Sequence, residues 1–186
     1  SGNEVGDTAN YDPPSRALIH YKGRRYFLMS CADPTRIGVD HFACGVKESQ
    51  GMEGTWRDAE DGELSCHAIA HGSVDSTLRI SVPVAAHGEA TAYYWICAGT
   101  NYLEVTKLNN DLLEKTPPEL LKRTTHYWNL WVSKEFRHGD ERLPKNVLWL
   151  LKQSLLIVRT QIDNGGAIIA ANDTDILSFA RDTYSY

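Results

Sequence analysis

The hydrophobic period of this chain changes once, close to residue 100. Before that point apolar and polar residues alternate, as where Leu78, Ile80, Val82 and Val84 are interleaved with Arg79, Ser81 and Pro83. Other early stretches are β-branched and aromatic, such as 91–98 (TAYYWICA). Later, apolar residues recur every three to four positions. Period two marks strand and period 3.6 marks helix. Strands first and helices second exclude an interleaved α/β sheet and imply two consecutive structural units. Sequential strands joined by short turns imply an antiparallel sheet or sandwich.

In chain order, residues 1–15 are polar and carry Pro13 and Pro14, which reads as a loop. Runs 16–21 and 25–31 are strand-like and flank Lys22-Gly23-Arg24, a hairpin. A turn at Asp33-Pro34 precedes a short strand over 39–47, and 51–62 is rich in turn residues. Residues 68–71 are ambiguous. Pro83 places the alternating 78–84 run at a sheet edge or strand end. The spacing predicts a helix over 102–115. Thr116-Pro117-Pro118-Glu119 then has capping-box spacing with prolines in the first turn. The next helix puts Leu120, Leu121, Tyr127, Trp128, Trp131 and Val132 on one face. Its other face carries Lys122, His126, Asn129 and Ser133, so it lies on a surface.

A last helix opens at Pro144, where a missing N–H costs nothing. Val147, Leu148, Leu151, Leu155, Val158 and Ile162 fall on one side of it. Trp149 with Leu156 and Leu150 with Ile157 occupy two flanking sides, and Lys145, Lys152 and Arg159 form a narrow charged edge. A helix apolar on three sides requires neighbours on three sides. The following residues are too few to supply them, so part of the fold is expected to lie outside this sequence.

The same region carries a family resemblance. The runs QSLLIVRTQID (153–163), GGAIIAANDTDI (165–176) and RDTYSY (181–186) resemble the start of the catalytic barrel in prokaryotic glucoamylase-type enzymes, glycoside hydrolase family 15. The segment EGTWRDAEDGELS (53–65) resembles part of the β-sandwich that precedes that barrel. The match is specific over about 140–186 and collinear over about 11–136. The resemblance implies an α+β chain: an antiparallel β-sandwich portion over 1–101, a helical linker over 102–142, and the first helix of an (α/α)6 barrel over 143–186. It further implies that half the sandwich precedes residue 1, leaving strands 16–31 with open edges. By this resemblance the parent enzyme releases glucose from non-reducing ends of α-glucans by inverting hydrolysis. Its expected partners are an α-glucan or oligosaccharide and the remainder of its own catalytic domain.

Inverting hydrolysis needs a protonated carboxyl for the leaving oxygen and a carboxylate to activate water, roughly 6.5–9.5 Å apart. The two family glutamates lie later in the barrel and no position here matches them, so no catalytic residue is assigned. Three substrate-binding candidates remain. Tyr184 matches a family tyrosine lining the sugar subsite at the cleavage point, against the plainer reading of an aromatic at a loop end. Asp173 lies in a polar loop near the mouth of that site, although an aspartate there more often stabilises its own turn. Trp56, beside Arg57, projects from a sandwich loop to stack on glucan or to dock on the barrel, docking being the stronger reading. The alternative function is a non-catalytic carbohydrate-binding sandwich module acting through such exposed aromatics.

Other chemistries are weakly represented. The acidic run 58–63 lacks calcium-loop spacing and reads as a solvated turn. His67 and His71 are four apart without the glutamate of the zinc-protease motif, so no metal site is assigned. No glycine-rich phosphate loop or nucleophile elbow occurs, and no cofactor is expected. Nineteen basic against 24 acidic residues, net −5, argue against nucleic acid or an anionic membrane surface. No apolar run is long enough to span a bilayer. Cys31, Cys44, Cys66 and Cys97 are irregularly spaced and read as free thiols, which favours a cytoplasmic setting.

Overall fold

The computed structural model of the chain describes residues 6–47, 54–135, 143–162 and 165–166. They form an α+β arrangement of antiparallel sheets and helices, divided into two compact units between Pro117 and Pro118.

The first unit holds seven strands: β1 (Asp7–Asp12), β2 (Ala17–Lys22), β3 (Arg25–Ala32), β4 (His41–Val46), β5 (Ile69–His71), β6 (Val74–Arg79) and β7 (Tyr93–Gly99). Five make one antiparallel sheet in the order β5-β1-β2-β3-β7, and β4 pairs with β6 in a second. The expected hairpin is present, with Gly23 in the left-handed region at its tip. Strands 16–31 do not have open edges: β2 and β3 lie inside the sheet, flanked by β1 and β7. The strand that supplies this protection, β1, falls where the sequence reads as loop.

Alternation gives each face of the large sheet its own core. Ala9, Leu18 and Cys44, with Tyr11, Met29, Phe42, Val74 and Leu78 around them, join the large sheet to β4 and β6. Tyr11 stacks on Phe42 with centroids 3.9 Å apart. On the opposite face Ala17, Ile19, Leu28, Trp95 and Cys97 pack with Val105 of helix α2 (Tyr102–Lys115). The inward stripe of α2 is Val105, Asn109, Leu112 and Leu113, a helical repeat along one side. Asn101 caps it, accepting from the Glu104 N–H at 3.0 Å, while the Glu104 carboxylate accepts from Thr100 N–H at 2.7 Å. The Thr100 N–H, with the Thr100 hydroxyl beside it, holds the Glu104 carboxyl below its ordinary pKa. The helix expected over 102–115 is present with those bounds, and it packs on the sheet.

The alternating run at 78–84 is mostly not strand. β6 begins earlier, at Val74, and stops at Arg79, which pairs with the first residue of β4, His41. Beyond that partner Pro83 cannot donate to a ladder, and Val84 is exposed.

The second unit contains α3 (Pro117–Glu135), whose first residue belongs to the first unit, and α4 (Lys145–Thr160). Thr116, expected as the cap of a capping box, has φ +65 at the end of α2, and Glu119 instead accepts from Arg123 Nε at 2.9 Å. On α3, Val132 is buried, whereas Leu121 and Tyr127 on the same expected apolar face are more than half exposed. Tyr127, Trp128 and Trp131 form two consecutive edge-to-face contacts, 5.1 and 5.7 Å between centroids. No residue of α4 is buried; Trp149 is 63% and Ile157 62% exposed. No helix among the described residues is long and apolar enough to cross a membrane.

Candidate functional site

Of the three sugar-binding candidates, Asp173 and Tyr184 lie outside the described residues. Trp56 lies on α1 (Thr55–Asp58), a single turn seated on the β4–β6 sheet. Buried Thr55 anchors it: its N–H donates to Asp75 Oδ2 at 2.9 Å and its hydroxyl meets that of Thr77 at 3.0 Å. The seat depends on Gly45, where an added Cβ would sit 2.7 Å from Thr55 Cγ2. Asp58 closes the turn by accepting from Ser65 N–H at 2.8 Å. Trp56 is thereby held outward, 46% exposed, with the Arg57 guanidinium 4.9 Å from its ring centroid. An aromatic ring on a fixed turn beside a planar donor has the makings of a sugar-stacking platform.

The acidic run near Trp56 is engaged in bonds of its own. Asp61 accepts from Glu63 N–H at 2.9 Å, and Glu63 pairs with Arg79 at 2.9 Å and approaches His41 Nδ1 at 3.4 Å. His67 and His71 sit on extended chain, about 13 Å apart at the usual rise per residue. His71 Nδ1 bonds Thr8 Oγ1 at 3.1 Å, and the His67 carbonyl accepts from Cys44 N–H at 2.9 Å. All four cysteines are free, and Cys31, Cys44 and Cys97 are buried. Burial, then the Asp75 charge, pushes the Cys44 thiol up to about 11, so it is not a nucleophile at neutral pH.

No family model, curated protein or solved structure matches the chain.

A second concavity, not singled out in the sequence, opens where the β4–β6 layer stops short of the large sheet. This pocket of about 280 Å³ is lined by Asp7, His20, Lys22, Arg25, Phe27 and Val74, among others. Strand register puts the first five on one face: Asp7 pairs with Lys22, Lys22 with Arg25, and His20 with Phe27. Its wall is fixed by a 2.7 Å hydrogen bond between His20 Nε2 and Ser76 Oγ of β6. Burial lowers the His20 pKa, opposed by the nearby Asp75 and Asp7 charges. The alternation of 18, 20, 22 and 25, 27, 29 around the hairpin was the signal for this shared face. The length of the covering strands was not legible.

Proposed function

We propose that this chain forms part of a glucoamylase-like glycoside hydrolase of the prokaryotic family 15 type, releasing glucose from non-reducing ends of α-glucans with inversion. The observation that carries the reading is the sequence of the α4 region. Its 153–163, 165–176 and 181–186 runs resemble that family's barrel start, and three sides of α4 are apolar while none of its residues is buried. In this reading α4 is the first helix of an (α/α)6 barrel, whose neighbouring helices would cover those sides. The β-rich unit corresponds to the family's N-terminal sandwich. Tyr184 and Asp173 contribute to the sugar subsite, and the catalytic carboxyl pair comes from outside these 186 residues. A cytoplasmic setting accords with four free thiols.

The test is to express the full open reading frame containing this chain and follow maltooligosaccharide cleavage by proton NMR of the anomeric signals. Initial release of β-glucose supports the proposal; initial release of the α-anomer, or no glucose, rejects it.

One observation favours a second reading, a non-catalytic carbohydrate-binding module: Trp56 is half-exposed on a rigidly seated turn. In that case the 186-residue chain binds maltodextrin without cleaving it, and Trp56→Ala abolishes the binding while leaving the fold intact.

A further inference from the structure

The face of the large sheet that carries the second pocket is ordered in rows by strand register. Tyr11, Leu18, Met29 and Ile96 form one row, Ala9, His20, Phe27 and Ala98 the next, and Asp7, Lys22 and Arg25 the last. The β4–β6 layer covers Tyr11, Leu18 and Met29 but leaves Phe27 43% and Ile96 55% exposed. An apolar strip therefore runs into a charged end, with the pocket at the junction.

Among the described residues that line the pocket, two permanent cations, Lys22 and Arg25, face one carboxylate, Asp7. Asp7 is taken by Lys22, Nζ to Oδ1 3.2 Å. His20 is partly buried and bonded to Ser76, and its burial favours the neutral imidazole. Among the described residues no carboxylate pairs with Arg25, which is exposed at the rim. A guanidinium with no carboxylate partner among the described residues, beside one open aromatic, matches one negative charge on an apolar body. A carboxylate suits it better than a phosphate dianion, because its two oxygens in one plane fit the guanidinium fork and need a single counter-charge. The volume is close to the lower end, about 300 Å³, of ordinary ligand pockets, which limits the body to one ring or a short chain.

We propose that this pocket is a binding site for a small monocarboxylate with an apolar or aromatic body, its carboxylate on Arg25 and its body against Phe27 towards Ile96. The site is separate from the Trp56 turn, and its occupancy does not depend on glucan chemistry.

The test is calorimetric titration of the whole chain, at neutral pH and low salt, with 3-phenylpropionate and with its uncharged amide. The acid is expected to bind one-to-one with a Kd of about 0.1–1 mM, given the modest binding energy per atom of small ligands. The amide is expected to bind at least tenfold more weakly. Arg25→Gln should weaken the acid to the level of the amide without changing the melting temperature, and Phe27→Ala should weaken acid and amide together. Equal affinity for acid and amide, an unaffected Arg25→Gln variant, or no saturable binding of the acid would overturn the proposal. The acid–amide comparison uses the unaltered chain, so it decides the question even if a variant does not fold.

Discussion

The indole N–H of Trp95 donates to Asn109 Oδ1 at 2.9 Å, joining β7 to α2 through two residues that are 8% and 1% exposed. It is a polar bond set inside an apolar interface, where an unmade partner is costly. Asn109→Ala leaves the indole N–H buried without an acceptor and opens a small void. We expect a loss of about 2–3 kcal/mol in urea unfolding. Trp95→Phe in the Asn109→Leu background removes both polar groups, and the double variant should be more stable than Asn109→Ala. A double variant as unstable as Asn109→Ala would mean that volume, not the hydrogen bond, sets the cost.

Gly38 has φ +95, and a Cβ there would lie 2.5 Å from Arg16 Cβ and 2.9 Å from the Arg16 carbonyl oxygen. Its N–H also donates to the Cys31 carbonyl at 2.7 Å, tying the loop to β3. Gly38→Ala combines an unfavourable backbone region with a backbone clash, and should cost about 3 kcal/mol. Gly23→Ala is the matched control. It too has positive φ, but its Cβ meets nothing within 4 Å, so its cost should be about 1 kcal/mol. Thermal melts of the two variants rank them.

Two groups shape the acid side of the stability–pH profile. Asp33 is held down to about 2, first by the Thr35 hydroxyl and N–H and then by Arg36. A depressed carboxyl favours the folded state above its unfolded value, 3.8, and that contribution is lost as pH falls towards 2. Asp33→Asn should therefore be less stable than wild type at pH 7, with the difference closing between about pH 4 and 2. His20 has its pKa lowered by burial, so protons bind the unfolded chain first and stability declines as pH falls below 6.5. His20→Gln should remove that part of the slope, measured as urea midpoints at several pH values between about 5 and 8.

The large features of this fold were legible in the sequence because they rest on apolar periodicity. β7 and α2 carry one buried face at the right repeat, β2 and β3 carry contiguous apolar residues buried on both faces of the sheet, and α4 carries apolar residues at helical spacing. β1 was not legible, since its buried residues are Thr8 and Ala9, small side chains in a polar run, and its place comes from pairing on both sides. β6 was misplaced for a related reason. Its inward Ser76 meets His20, and its Asp75 holds the Thr55 turn, so polar residues serve where an alternation rule looks for apolar ones. Of the candidate site, the exposure of Trp56 was legible from its turn-rich context. The one-turn helix beneath it was not, because it depends on Gly45 making room for Thr55.

The open faces of α4 give a direct physical expectation. Leu150 and Ile157 are 58% and 62% exposed, so Leu150→Glu and Ile157→Glu together should change stability by no more than about 0.5 kcal/mol each. The same pair should lower binding of a hydrophobic dye about twofold, because it divides a contiguous apolar surface. Unchanged dye fluorescence would place the sticky surface elsewhere on the chain.

Whether this polypeptide serves glucan hydrolysis is decided most directly by the anomer that first appears when its full open reading frame is expressed and given maltoheptaose. We expect β-glucose to lead in the proton NMR spectrum and to mutarotate afterwards, with Tyr184→Phe slowing its release. Early α-glucose, or an unaltered substrate, would contradict the proposal.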